Sequence, residues 1–434
     1  MQQHLKLQFL VLFLGLSLTE KGFSSGMGSI EDSKSSSSVP SVVLTFEESL
    51  QIANKQSLIL KSVRKSIAVQ EGFLEQSRTY SNPVLGIERE DFGGSSSEAP
   101  KLIVELEQAI PWMGQRAAKI QAAALKLEAI RLDYRIAEMD FNADIYAAFY
   151  RLLGAQNRVE LGRRRVKVAE QLVQTVSARQ EAGKVSPAAV SKAGIAHAEA
   201  RISLNEAEMR RRNFLRSLTT LMGQAEPEFL KVKGNLGDLE TPPSFDVFES
   251  QLESSPVLKR WHLSTQAARV KLEMVRKSRR PDLSIRVGTT HFEEDGGDGY
   301  SLGLGLEIPI FDRKRGELAA RQAILSHKGL LRQQAYMEAH RDLAEKFELA
   351  MARFEHAKIL KEEILPRAKS AFEMVQEGYR LGKLGYLNLL DSQRTWVQTL
   401  GDHIEALVNY HVAFSDLVRL TGGSLKKKGE VKNE

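Results

Sequence analysis

Few residues in this 434-residue chain are spaced as reacting groups need to be. Its nine histidines are scattered; His403 and His411 share a helical stretch, but they stand eight positions apart. A metal held by two histidines of one helix needs them about four positions apart, so both read as packing or surface residues. The acidic run Glu293-Glu-Asp-Gly-Gly-Asp298 lacks the spacing and closing glutamate of a calcium loop, and reads as an exposed loop. Neither H-E-x-x-H nor G-x-x-x-x-G-K-[ST] occurs. The chain has no cysteine, which excludes disulfides, thiolate metal centres, cysteine nucleophiles and a cysteine-linked lipid. No catalytic, cofactor or resident metal site is expected.

The N-terminus points instead to export, and the charge to a solvated tail. The net charge is +6, but part of the excess lies in a tail bearing Lys426, Lys427, Lys428 and Lys432, so a solvated tail is expected and a nucleic-acid partner is not. Lys6 precedes an apolar run over 7–18 and small residues at Ser24, Ser25 and Gly26, as in a secretory signal. No apolar run of about 18 residues follows. If the chain enters a membrane, strands must take it there.

The elements that position everything else are duplicated. Pro83 and Leu85 recur as Pro281 and Leu283, Ile110-Pro111 as Ile308-Pro309, and Leu60-Lys61 as Leu258-Lys259, each 198 positions on. Gly183-Lys184 recurs as Gly382-Lys383, and Leu221 as Leu420, 199 positions on. The expected organisation is a signal peptide at 1–26 and a disordered segment at 27–43. Repeat 1 follows at 44–223 with a β-hairpin at 83–110, then an irregular connector at 224–244. Repeat 2 occupies 245–422 with a hairpin at 281–309, and a basic disordered tail occupies 423–434. Each repeat reads helix, strand, strand, long helix, turn, helix. The opening helices are expected from Thr45, a capping box with Glu48, to about Arg78, and from near Ser244 to just before Arg279.

The strands alternate with period two. Leu302, Leu304, Leu306 and Ile308 interleave with Ser301, Gly303, Gly305 and Glu307; Leu102, Val104 and Leu106 interleave with Ile103, Glu105 and Glu107. Segments of about 9–11 residues suit a tilted membrane strand. Four strands cannot close a membrane barrel, which needs about eight; three copies would supply twelve. The polar positions Glu88, Glu105, Glu107, Asp282 and Glu307, with Arg286 the cationic exception, are expected to face the lumen and to favour cations.

The helices after the hairpins lack proline over 113–180 and 311–365. About 68 helical residues would reach roughly 100 Å. Heptad-spaced Leu132, Ile136, Met139, Ala143, Tyr146, Tyr150 and Leu153, and Leu343, Phe347, Ala350, Phe354 and Ala357, read as helix-packing core. Small-residue turns at Gly183 and Gly382 return the chain on itself.

In this order, duplicated, these motifs resemble the TolC-type outer-membrane efflux proteins, in particular the heavy-metal (CzcC/CusC-like) branch, over about 42–422. The resemblance is carried by Leu44-Thr45-Phe-Glu-Glu48-Ser-Leu50, by Ile110-Pro111-Trp112-Met113-Gly114 and Ile308-Pro309-Ile310-Phe311-Asp312, and by Glu181-Ala-Gly183-Lys-Val185-Ser. Tyr379-Arg-Leu-Gly382-Lys-Leu-Gly-Tyr-Leu387-Asn-Leu-Leu390-Asp391 completes it.

It implies a mainly α fold with membrane β-strands: long α-helical hairpins in tandem repeat plus two β-hairpins, forming a trimeric 12-stranded β-barrel with a periplasmic α-barrel. It implies a homotrimer in outer-membrane lipid of a Gram-negative bacterium. The trimer would export substrates passively, heavy-metal cations foremost, from an inner-membrane pump of the resistance-nodulation-division type through a periplasmic adaptor. The turns with Gly183, Lys184 and Ser186, and with Gly382, Lys383 and Gly385, match the tips that contact the adaptor. Asn388 and Asp391 match the acidic positions of the periplasmic constriction, where Asn388 departs from the acidic pattern. Asp391 is expected to line the constriction and pair with a nearby cation when closed. Many relatives also carry a lipid on a cysteine that this chain lacks. The alternatives are a multidrug or type I protein-secretion channel, and a periplasmic coiled-coil structural protein without a channel.

Overall fold

The structure, a computed structural model, describes residues 43–90, 100–111, 114–239, 241–280, 282–293 and 296–422. The expected signal, the segment before Val43, the loop 91–99 and the basic tail lie outside the described residues.

Helix α1 (Phe46–Gln56) opens on Thr45, whose side chain accepts the Glu48 N–H while Glu48 accepts the Thr45 N–H at 2.8 Å. The single opening helix expected in each repeat is two helices. Ser57 separates α1 from α2 (Leu58–Arg78), its Oγ accepting the Leu60 N–H at 3.3 Å. Later, α5 (Phe245–Glu253) and α6 (Pro256–Lys277) divide at Ser254 and Ser255. There the Ser255 Oγ accepts the Leu258 N–H, and Pro256, lacking an N–H, takes the first helical position. The apolar spacing runs on through both breaks, so only the caps mark them.

Strands β2 (Val84–Glu90), β3 (Lys101–Ile110), β5 (Leu283–Phe292) and β6 (Asp298–Leu306) form one antiparallel sheet in the order β2-β3-β5-β6. The two hairpins are thus joined edge to edge, Lys101 opposite Phe292 and Ile110 opposite Leu283. The connector is less irregular than expected. Its β4 (Lys231–Val232) pairs in parallel with β1 (Val43–Leu44), and Phe229, Val232 and Leu236 are buried in the main core.

From the sheet run the long helices α3 (Gln115–Glu181, 67 residues) and α7 (Arg315–Ile359, 45 residues). α4 (Pro187–Leu221) returns from α3, and α9 (Tyr386–Thr421) returns from α8 (Leu365–Arg380). Between α7 and α8 the helix widens into one π-turn, Leu360–Ile364. Pro366 explains it: in a regular helix the proline ring would meet the carbonyl of residue 362, and a widened turn relieves that clash without ending the helix.

Three clusters hold the helices. The largest joins Phe46, Phe149, Leu152, Leu218 and Phe229; the second joins Phe248, Leu252, Leu343, Ala350 and Leu417. The third, at the helical turns, joins Val176, Ala193, Phe372, Tyr379, Tyr386 and Leu389. Of the expected heptad positions, Ala143, Tyr146, Tyr150, Leu153, Leu343, Ala350, Phe354 and Ala357 are buried, whereas Leu132, Ile136, Met139 and Phe347 are half-buried. Among the described residues no helix is long and apolar enough to cross a membrane.

Candidate functional site

The sheet separates its side chains by chemistry. Register places Leu85 opposite Leu106, Leu106 opposite Val287, and Val287 opposite Leu302. Ile87, Val104, Ile285 and Leu304 lie on the same face. Leu302 is 76% and Leu304 72% exposed, so among the described residues nothing covers this apolar face. At about 25 cal/mol per Å² of apolar surface, leaving such a band in water is costly.

The other face holds all six charged positions singled out by the sequence. Glu107 sits opposite Arg286, Glu105 opposite Gly86 and Gly288, and Glu88 opposite Ile103. Asp282 and Glu307 flank the ladder on the same parity, with the Glu307 N–H donating to the Asp282 carbonyl at 3.3 Å. The Gln115 amide donates to the Asp282 carboxylate at 2.9 Å, anchoring it where the sheet meets α3. Three β6 positions on this face are Gly299, Gly303 and Gly305, so its neighbours' side chains have room; the Arg286 side chain lies over Gly303.

At the far end of the helices the two turns share one geometry. Gly183 (φ 69°) and Gly382 (φ 72°) take left-handed backbone, which only glycine adopts without strain. Lys184 N–H donates to the Arg179 carbonyl, and Lys383 N–H to that of Gly378, both at 2.9 Å. The third cluster brings the turns together, and the Arg179 guanidinium sits over the Tyr379 ring at 4.3 Å. Gly183, Lys184, Ser186, Gly382, Lys383 and Gly385 are all exposed. Asn388 and Asp391 lie one turn apart on α9, also exposed, while Tyr386, Leu389 and Gln393 are buried. Among the described residues Asp391 has no ion-pair partner within the chain.

Of the two histidines on α9, His411 is buried and His403 half-buried. His411 bonds the Tyr146 hydroxyl at 2.9 Å and the Leu236 carbonyl at 3.2 Å, and stacks on Tyr150 at 3.7 Å. His403 is half-buried, and burial together with nearby Lys361 pushes its pKa below the ordinary histidine value. Among the described residues no group of histidines and acids could hold a metal.

Sequence reading passed over one feature. Arg151, Arg158 and Arg165 recur every seven residues on α3 and enter a groove of ≈ 440 Å³ that α4 and α9 complete. Gly154, Gly162 and Gly401 form part of its lining. A heptad row of arginines was visible in the sequence, but not what faces it.

A sheet with one exposed apolar face, carried on helices far longer than a globular core needs, defines a membrane-seated class of protein. The family described as "Outer membrane efflux protein" matches residues 66–224 and again 247–423. The cobalt-zinc-cadmium resistance protein CzcC of Cupriavidus metallidurans is 30% identical over 383 residues, covering 87% of this chain and 90% of that protein. The CusC structure superposes with a TM-score of 0.75 at 14% identity, over 87% of this chain and 92% of that one. The open-state MtrE channel of Neisseria gonorrhoeae superposes with a TM-score of 0.74 at 17% identity, over 94% and 98%. The chain belongs to the outer membrane efflux protein family. It is an outer-membrane efflux channel protein whose helical part lies in the periplasm.

Proposed function

We propose that this chain is one of three identical subunits of the outer-membrane channel of a tripartite efflux system, passing heavy-metal cations passively. The observation that carries this is the four-stranded sheet with one exposed apolar face and, among the described residues, no partner strand beyond β2 or β6. Open edges in lipid leave backbone N–H and C=O groups unsatisfied, so they must pair with other copies. Three sheets make twelve strands, an even number above the minimum of eight.

In that assembly the apolar face meets lipid, and Glu88, Glu105, Glu107, Asp282, Arg286 and Glu307 line the lumen. The turns at Gly183, Lys184 and Ser186 and at Gly382, Lys383 and Gly385 reach the periplasmic adaptor, through which an inner-membrane pump delivers cargo. Asn388 and Asp391 ring the constriction. The metal cargo is supported by the likeness to a cobalt-zinc-cadmium resistance protein.

Two measurements test this. Light scattering of the detergent-purified protein should give the mass of a trimer, and a monomer would end the barrel reading. A deletion strain should lose tolerance to cobalt, zinc or cadmium; unchanged metal tolerance with lost drug tolerance would reassign the cargo.

A further inference from the structure

The groove between α3, α4 and α9 is lined by four arginines, Arg151, Arg158, Arg165 and Arg210, against two carboxylates, Glu206 and Glu405. Arg158 is paired with Glu405 at 2.7 Å. Among the described residues, Arg151, Arg165 and Arg210 have no hydrogen-bond or ion-pair partner, and neither has Glu206. Three guanidiniums without a partner among the described residues therefore line one groove. The seven-residue spacing sets the α3 arginines along roughly 21 Å of helix. A guanidinium presents a planar fork of donors that fits a carboxylate or phosphate two bonds at a time.

The groove also has a definite side. On α3, Phe149 and Leu153 pack toward Gly234 of the connector, and Gln156 bonds both Val232 backbone groups at 2.9 Å. Arg158 lies about 160° around the helix from Gln156, so the arginines face away from the connector. On α9, Asp391, Gln398 and Glu405 form one seven-residue row, and the last two line the groove. The arginine face is thus continuous along α9 with the Asp391 face.

We propose that this groove is a binding site for small polyvalent oxyanions, of the phosphate or polycarboxylate type. Its role rests on the conduit reading above: if the Asp391 face lines the tunnel, each subunit puts an anion-attracting band there, and metal cations cross that level accompanied by oxyanions. The binding chemistry itself depends only on the groove.

Calorimetric titration of the detergent-purified full-length protein with inorganic pyrophosphate, and separately with citrate, tests it. Wild type should bind at least one of the two saturably, and which one assigns the phosphate or the polycarboxylate class. Arg151→Gln combined with Arg165→Gln should weaken that binding at least tenfold. Glu405→Gln, which frees Arg158, should tighten it several-fold. Absence of wild-type binding, or the same affinity in both variants, overturns the site. Conductance in planar bilayers separates the two readings: channels that conduct without binding either anion leave the conduit and remove the site, and binding without conductance does the reverse.

Discussion

The Tyr146 hydroxyl and the His411 Nδ1 lie 2.9 Å apart inside the main core, joining α3 of the first repeat to α9 of the second. The Leu236 carbonyl, 3.2 Å from Nε2, can only accept, so Nε2 carries the proton and Nδ1 accepts from the tyrosine. Tyr146→Phe removes this buried donor and should destabilise the protein by about 1–3 kcal/mol, read by denaturant unfolding. His411→Ala should cost more, since it also removes the stack on Tyr150.

Gly154 lets α9 approach α3. A Cβ there would overlap the Val408 Cγ2. Gly154→Ala should therefore cost about 1–3 kcal/mol, although alanine is otherwise the better helix former. A gain in melting temperature would mean that α9 shifts freely to make room.

Lys314 begins α7 in left-handed backbone (φ 52°), where Gly114 (φ 90°) begins α3. The first junction thus meets the same demand with glycine. Left-handed backbone costs a residue with a Cβ about 1–2 kcal/mol. Lys314→Gly should raise stability by about 1 kcal/mol, less what is lost with the 3.2 Å bond from Lys314 to the Ser278 hydroxyl. Thermal unfolding followed by circular dichroism checks the sign.

His403 has a depressed pKa from burial, with nearby Lys361 adding to it. The unfolded chain then binds more protons than the folded one, so stability falls as pH drops below about 6.5 and levels off under the folded pKa. Above pH 7 the effect vanishes. His403→Gln should flatten this part of the profile, and a variant with the wild-type slope would assign the acid sensitivity elsewhere.

The two faces of the sheet should respond oppositely to charge. Leu304→Arg puts a cation on the apolar face and should cost about 2–4 kcal/mol at mid-bilayer depth, lowering the amount assembled in the outer membrane. Ser301→Arg, on the polar face, should assemble normally and shift conductance instead. Equal assembly of both variants would contradict the assignment of the faces.

Much of this was legible in the residues alone. Periods of two and of seven, glycine at Gly183 and Gly382, and the 198-residue offset all depend on neighbours a few positions away or on simple self-comparison, so they survive without a structure. Within each strand the charged positions singled out above fall on one parity because side chains alternate along any strand, and the register then puts those parities on one face.

What the tertiary structure decided involves partners far apart in sequence. The β3–β5 register joins the two hairpins into one sheet, and β1 finds β4 across the whole first repeat. Ser57 and Ser255 interrupt helices whose apolar spacing continues, since a cap is decided by one hydrogen bond rather than by a period. The arginine groove was the least legible. The row on α3 is periodic, but whether it meets carboxylates, solvent or other arginines depends on how α4 and α9 are rotated against it, and that is set by packing at Gly154, Gly162 and Gly401.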